Sequence, residues 1–306
     1  MDGILNINKP QGKTSFGTVA VVRRLTAERR VGHAGTLDPL ATGVLPVCLG
    51  QGTRITEFLV DATKVYHAQI ELGRATDTYD TSGQTTQQGD PSGISREKLE
   101  SALNSFRGLI QQTPPMYSAL KHHGKRLYQL ARAGIQVARP SRPARIEHLE
   151  LIDFNPPLVT IEIACGKGTY IRSIAHDLGQ ILGCGANLKS LVRLRSGHFD
   201  IKDAVSLDEL ENACRHGYWQ NYLYPIDVVL LDWAAVIVSE AQGKLVSRGQ
   251  SLVLEKLANS QKAERANPSF QSHCRAYTLD GLFLGVLRFN PKSGEWQPRK
   301  VLCQLE

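Results

Sequence analysis

Apolar positions along the chain recur with two periods that alternate. Ile4 to Asn8 reads as a short strand, and Thr14 or Ser15 is placed to cap a helix running to about Leu25. Tyr66, Ala68, Ile70 and Leu72 alternate with His67, Gln69 and Glu71, the pattern of a half-buried strand that turns Tyr66 to the apolar side. Ser95 opens a helix to about Phe106. Val159, Ile161, Ile163 and Cys165 alternate again, and CGKGT then turns the chain into a helix. Its apolar stripe is Ile171, Ile174, Leu178, Ile181 and Leu182, with Tyr170 and Arg172 in the first turn. Asn187 to Arg195 predicts another strand, and Ser206 with Glu209 forms a capping box. Strands and helices mix without a regular βαβ repeat. This predicts an α+β fold: a mixed, largely antiparallel sheet with flanking helices.

Two stretches depart from this periodicity. Val31 to Pro46 (VGHAGTLDPLATGVLP) holds three glycines, two prolines and one carboxylate, too irregular for a helix and too apolar for a solvated linker, so it reads as a half-buried functional loop. Near Leu231 the composition changes. Ser239 with Gln242 caps a short helix, Ala258 to Gln271 reads as a polar loop, and Asp280-Gly281 joins Tyr277–Leu279 to Leu282–Phe289 as a tight hairpin. The expected division is therefore a large domain, 1–231, and a small β-rich module, 232–306.

A chain of 306 residues with 42% apolar content can bury a substantial core. Neither a signal-like start nor an apolar run of about 18 residues occurs, so a cytoplasmic protein free of the membrane is expected. The cysteines Cys48, Cys165, Cys184, Cys214, Cys274 and Cys303 lie far apart with no metal-ligand spacing, which predicts reduced thiols and no metal site. Net charge is +7, and its distribution matters more than its sum. From Ser101 to Ile146 there is no Asp or Glu, while Arg107, Lys121, Lys125, Arg126, Arg132, Arg139, Arg142 and Arg145 all fall there. Tyr117, Tyr128, His122 and His123 are interleaved with them. A basic segment studded with planar groups suits a nucleic acid, although basic solvated faces are also common.

The candidate chemical residues divide by context. Gly12-Lys13-Thr14 resembles the end of a phosphate-binding loop, but that motif needs a glycine where Ile7 stands, and a helix-capping turn accounts for the residues better. Asp77 and Asp80 have no third donor nearby and read as turn carboxylates. His33 lies five residues before Asp38 in the irregular loop. Asp38 alone, before Pro39, would begin a turn.

The whole stretch HAGTLDPLATGVLPVCLG changes that weight, because it resembles the catalytic loop of pseudouridine synthases of the TruB family, with Asp38 at the nucleophile's position. GILNINKPQGKTS resembles the family's opening motif, and KVYHAQIELGRATDTYDTSG its second, which places Tyr66 on the active-site tyrosine. PPMYSALKHHGKRLYQLARAG resembles the RNA-gripping insertion, expected over about 107–146. GKGTYIRSIAHDLG places Tyr170 and Arg172 on a further active-site motif, and LVRLRSGHF puts Leu191 at a substrate contact. The tail resembles, more loosely, a PUA-type RNA-binding module.

The resemblance implies an isomerase that flips the uridine at position 55 out of the tRNA T loop and rebuilds it as pseudouridine, with no cofactor and no protein partner. It implies that Asp38, Tyr66 and Arg172 are catalytic, with Arg172 pairing Asp38. His33, Tyr66, Tyr170 and Leu191 would contact the substrate, and Lys121, Lys125, Arg126 and Arg132 would grip RNA. Two other readings keep the fold: a non-catalytic RNA-binding or RNA-folding protein, and a guide-RNA-dependent subunit of a larger particle.

Overall fold

The computed structural model describes residues 1–254 and 272–305. The expected polar loop Ala258–Gln271 lies outside the described residues. The first half of the chain carries β1 (Gly3–Lys9), α1 (Ser15–Thr26), β2 (Val31–His33), β3 (Thr42–Leu49), α2 (Thr56–Asp61), β4 (Lys64–Leu72), β5 (Arg74–Thr76), β6 (Thr85–Gln88), α3 (Arg96–Asn104) and β7 (Gly108–Gln112). A small hairpin, β8 (Lys121–His122) and β9 (Lys125–Arg126), and a short helix α4 (Leu127–Arg132) follow. Next come β10 (Arg142–Asn155), β11 (Leu158–Cys165), α5 (Ile171–Leu182), β12 (Ala186–Ser196), β13 (Phe199–Asp200), α6 (Leu207–Arg215) and β14 (Leu223–Tyr224). The tail holds β15 (Ala234–Ile237), α7 (Glu240–Ser247), β16 (His273–Tyr277), β17 (Phe283–Asn290) and β18 (Glu295–Val301).

The main sheet runs β14-β1-β3-β12-β4-β11-β10-β7, with β13 on β12 and β2 on β3. Its strands pair antiparallel except β3 with β12, as a mixed, largely antiparallel sheet requires. Thr14 accepts a hydrogen bond from the Gly17 amide at 2.9 Å and caps α1, the role expected of that turn. Ser206 and Glu209 complete the capping box of α6. On α5, Ile171, Ile174, Leu178 and Leu182 are buried as the stripe predicted, but Ile181 stays 53% exposed. It stands at the edge of the stripe, past the arc that the sheet covers. Gly179 lets α5 approach β12 closely, since a Cβ there would lie 2.1 Å from the Ala186 nitrogen.

The stretch 31–46 is only partly loop. Its ends are β2 and β3, which pair with each other, and only the residues between them stay irregular. β3 is buried on both faces, Leu45, Val47 and Leu49 in one apolar cluster and Val44 and Cys48 in another, so its sequence shows no alternation. Pro46, read as a loop signal, uses its carbonyl to accept from the Ala34 amide at 3.1 Å. The basic insertion is also shorter than 107–146. β7 and the start of β10 pair with each other at the sheet's edge, so only about residues 113–141 leave it.

The tail builds its own four-stranded sheet, β15-β16-β17-β18, over an apolar cluster that includes Val246, Leu252, Leu284, Leu287 and Trp296. The hairpin around Asp280-Gly281 is wider than a two-residue turn. Tyr277 pairs with Phe283, and residues 278–282 make the connection. Tyr277 donates its hydroxyl hydrogen bond to Asp227, Arg299 and Lys300 both pair with Glu57, and Leu302 packs on the second cluster of the main domain. Among the described residues no helix is long and apolar enough to cross a membrane.

Candidate active site

The loop between β2 and β3 carries Asp38, and four tethers hold that loop. Ser15 at the start of α1 donates to the Leu37 carbonyl at 3.0 Å and accepts from the Leu37 amide at 2.8 Å. The Gly12 amide donates to the Pro39 carbonyl at 2.8 Å. Asp38 itself turns the chain, its carbonyl accepting from Ala41 at 3.1 Å. The third tether is ionic: Arg172 on α5 brings Nε to 2.8 Å from the Asp38 carboxylate. The fourth is Arg193 on β12, whose guanidinium reaches the Gly35 and Val44 carbonyls at 3.1 and 2.6 Å.

Burial differs across the ion pair. The Arg172 side chain is 5% exposed and that of Asp38 39% exposed, so the carboxylate faces the open side of the site while its counter-ion is rooted in the protein. The pairing is not a two-point fork. Nη1 and Nη2 of Arg172 donate to the Thr78 and Tyr117 carbonyls at 3.1 and 2.9 Å, and Nε makes a close ionic contact outside hydrogen-bond alignment. Asp80 stands 3.9 Å from Nη1 as a second, buried counter-charge. It also closes its turn as expected, accepting from the hydroxyls of Thr78 and Ser82. Asp77 accepts from the Gln84 amide at 2.8 Å and has a turn role alone.

Tyr66 lies opposite Arg193 in the β4–β12 pairing and is 9% exposed. Burial pushes its hydroxyl pKa up, and the neighbouring Arg193 guanidinium pulls the other way. Tyr170 precedes α5, its backbone clamped by Gln112 through contacts of 2.8 and 3.0 Å. Burial raises its hydroxyl too, with Asp38 among the charges that reach it. Leu191 is 7% exposed on β12, in the same cluster as Tyr66. His33 ends β2, half-buried, with Nδ1 lacking a hydrogen-bond partner among the described residues and its pKa lowered by burial and by Arg193. Asp38, Tyr66, Tyr170 and Arg172 thus share one electrostatic neighbourhood.

Of the four cations expected to grip RNA, Lys121, Lys125 and Arg126 stand exposed on the β8–β9 hairpin, around a turn whose His123 and Gly124 both take positive φ. Arg132 ends α4 with its guanidinium 5.6 Å from the Tyr128 ring centre. Two further cations were missed by sequence reasoning. Lys9 is fully buried, donates to the Pro10 and Lys13 carbonyls, and has its pKa lowered to about 8 by burial, an effect that Asp38 opposes. Arg193 is 1% exposed. A signal for it existed in Gly35 and Gly43, glycines on either side of Asp38, but nothing in the sequence said what approached them.

A solvent-facing carboxylate tied to a buried guanidinium, with aromatic hydroxyls beside it and a cationic hairpin on the same chain, makes a site suited to nucleophilic or electrostatic catalysis on a polyanion. The model "TruB family pseudouridylate synthase (N terminal domain)" matches residues 23–171, and "tRNA pseudouridylate synthase B C-terminal domain" matches 172–231. A relative from Dehalococcoides mccartyi strain BAV1, named tRNA pseudouridine synthase B, is 43% identical over 99% of this chain and 97% of its own. One of the same name from Clostridium tetani is 40% identical over 86% of this chain and 90% of its own. The chain belongs to the TruB family of pseudouridylate synthases. Its fold is also that of a chain in a Cbf5-Nop10-Gar1 complex, with a TM-score of 0.74 at 24% identity over 99% of this chain and 85% of the other.

Proposed function

We propose that this protein is a tRNA pseudouridine synthase that isomerises the T-loop uridine at position 55, acting alone on the T stem-loop and without a cofactor. The observation that carries the reading is the Asp38–Arg172 pair at 2.8 Å, an accessible carboxylate on a buried cation within the stretch that the family models match. The reaction breaks the bond between N1 of uracil and C1′ of the ribose, rotates the base, and joins C5 to C1′. The proton lost from C5 is balanced by one gained at N1, so no oxidant or second substrate is consumed. Asp38 has two ways to drive this: covalent attack on the sugar or the base, or stabilisation of the positive sugar left as uracil departs.

A stacked uridine must first be extruded, at a cost of a few kcal/mol. Lys121, Lys125, Arg126 and Arg132 offset that cost by holding phosphates. Tyr66 stacks on the flipped base and moves a proton, Tyr170 and Leu191 line the pocket, and His33 contacts the RNA or fills the gap the base leaves. The division into a catalytic domain, 1–231, and a PUA-like RNA-binding module, 232–306, belongs to the same proposal. So does a cytoplasmic location, which the six free cysteines suit.

The test is to incubate purified protein with an unmodified tRNA transcript and no other macromolecule, then map pseudouridine by nucleotide. One modified T-loop uridine is expected. No product from folded protein would favour the non-catalytic reading, and product that needs a guide RNA and partner proteins would make it a subunit of a larger particle.

A further inference from the structure

Arg193 is the largest fully buried side chain of the described residues, and its surroundings are unusual for an arginine. A buried guanidinium ordinarily pairs with a carboxylate, because removing an unpaired charge from water costs several kcal/mol. Among the described residues no carboxylate lies within ion-pair distance of Arg193. Its Nε donates to the Val44 carbonyl at 2.6 Å, and Nη2 to the Gly35 carbonyl at 3.1 Å. Two other buried cations share this region: burial lowers the pKa of Lys64 and of Lys9, each to about 8, and the Arg193 charge adds to the lowering of both. A hydrophobic residue of similar volume would avoid the cost of burying the charge but would take the donor away from both carbonyls.

What the guanidinium reaches explains why it stays. Gly35 is in the loop that carries Asp38 and Val44 is on β3, just past where that loop ends, and one side chain bridges them. The backbone of Arg193 pairs with Gly43 on β3 and with Tyr66 on β4, so the same residue stands between the Asp38 loop and the tyrosine. Gly43 is fitted to this contact. It takes φ +98°, and a Cβ there would lie 2.3 Å from the Arg193 carbonyl oxygen. A Cβ on Gly35, at φ +76°, would come within 3.4 Å of Nη1.

We infer that Arg193 is a positioning residue of the isomerisation: its buried guanidinium ties the Asp38 loop to β3 and sets that loop's place relative to Tyr66. The inference rests on the proposed function, and it assigns Arg193 no contact with the uridine. A misplacement of about 1 Å at a reacting group can cost roughly a hundredfold in rate, so loosening this clamp acts on turnover rather than on RNA affinity.

Arg193→Met and Arg193→Lys are compared with wild type and with Leu210→Ala, a core substitution in α6 away from the site. Each is measured for its melting transition, for RNA affinity and for single-turnover rate at saturating tRNA. Arg193→Met should fold and bind RNA within about threefold of wild type while its saturated rate falls by about a hundredfold. Arg193→Lys, which keeps the charge and one donor, should recover part of that rate. Leu210→Ala should melt earlier yet keep its saturated rate. A folded Arg193→Met within threefold of the wild-type rate overturns the inference. So does failure of both Arg193 variants to fold, which would assign the guanidinium to stability alone. If wild type itself makes no pseudouridine, the proposed function fails first, and the two failures are distinguishable.

Discussion

Replacing Arg172 by lysine keeps the charge and should still disable the site. The guanidinium serves three directions at once: Nε faces Asp38 at 2.8 Å, and the two Nη atoms hold the Thr78 and Tyr117 carbonyls at 3.1 and 2.9 Å. Those carbonyls belong to different segments, one before β6 and one before β8, so a single ammonium on a flexible stem cannot meet both while staying on the carboxylate. Each part-buried carbonyl left unpaired costs about 1–3 kcal/mol, so the two together predict a loss of about 2–6 kcal/mol in stability. The melting temperature should drop by several degrees. Asp38 loses the fixed counter-ion that orients it, and a displacement of about 1 Å lowers the saturated rate by roughly a hundredfold. Release of the C5 hydrogen from tRNA labelled at that atom, followed in a single turnover with enzyme in excess, reads this step directly. RNA affinity should change by less than about threefold, since Arg172 is buried. A folded Arg172→Lys enzyme working within twofold of wild type would refute the argument, because the carbonyl contacts would then be irrelevant to the placement of Asp38.

Asp38→Asn removes the anionic oxygen and keeps the shape, so product formation should be lost while RNA binding persists; turnover within tenfold of wild type would take Asp38 out of its role. Neutralising Lys121, Lys125, Arg126 and Arg132 together should weaken binding and flatten the plot of log affinity against log salt, by about 0.7–0.9 for each phosphate no longer neutralised, and an unchanged slope would remove the hairpin from the interface. Deleting 232–306 should raise KM several-fold and leave the saturated kcat near normal, with a lower melting temperature because Leu302 and both partners of Glu57 go with it; a hundredfold fall in kcat of the folded remnant would place part of the site in the tail. Asp177 on α5 has its carboxyl pushed up to about 6 by burial alone, so it binds its proton more tightly folded than unfolded. Its cost is absent below about pH 4, develops as pH rises through about 6, and reaches at most about 3 kcal/mol, less in so far as water reaches the group. Asp177→Asn should therefore raise the melting temperature at pH 7.5 and not at pH 4, and equal shifts at both would refute the charge argument.

The sequence carried the parts of the site that depend on local pattern. Alternation along β4 places Tyr66 on the apolar side, the CGKGT turn and the stripe behind it place Arg172 in the first turn of α5, and the capping turn at Thr14 was readable because caps are satisfied within three residues. β3 escaped because it is buried on both faces, so alternation vanishes and Pro46 reads as a break. The insertion's limits escaped because β7 lies at an exposed edge, where Leu109 is 74% exposed and the pattern looks like loop.

Arg193 and Lys9 escaped for a different reason. In LVRLRS both arginines look alike, and Arg195 is indeed exposed while Arg193 is 1% exposed. What separates them is β3, which enters the sheet beside β12 from about 150 residues earlier and meets it at only two residue pairs, Thr42 with Val192 and Gly43 with Arg193. Periodicity within one strand is silent on such a neighbour, because the burial of a charge depends on which carbonyls are turned toward it. Here they are turned by a stretch whose glycines Gly35 and Gly43 adopt positive φ on either side of Asp38. The same feature that exposes the carboxylate therefore creates the buried acceptors that make a guanidinium tolerable beneath it. In this fold the accessible carboxylate at the surface and the costly charge in the interior are two sides of one loop.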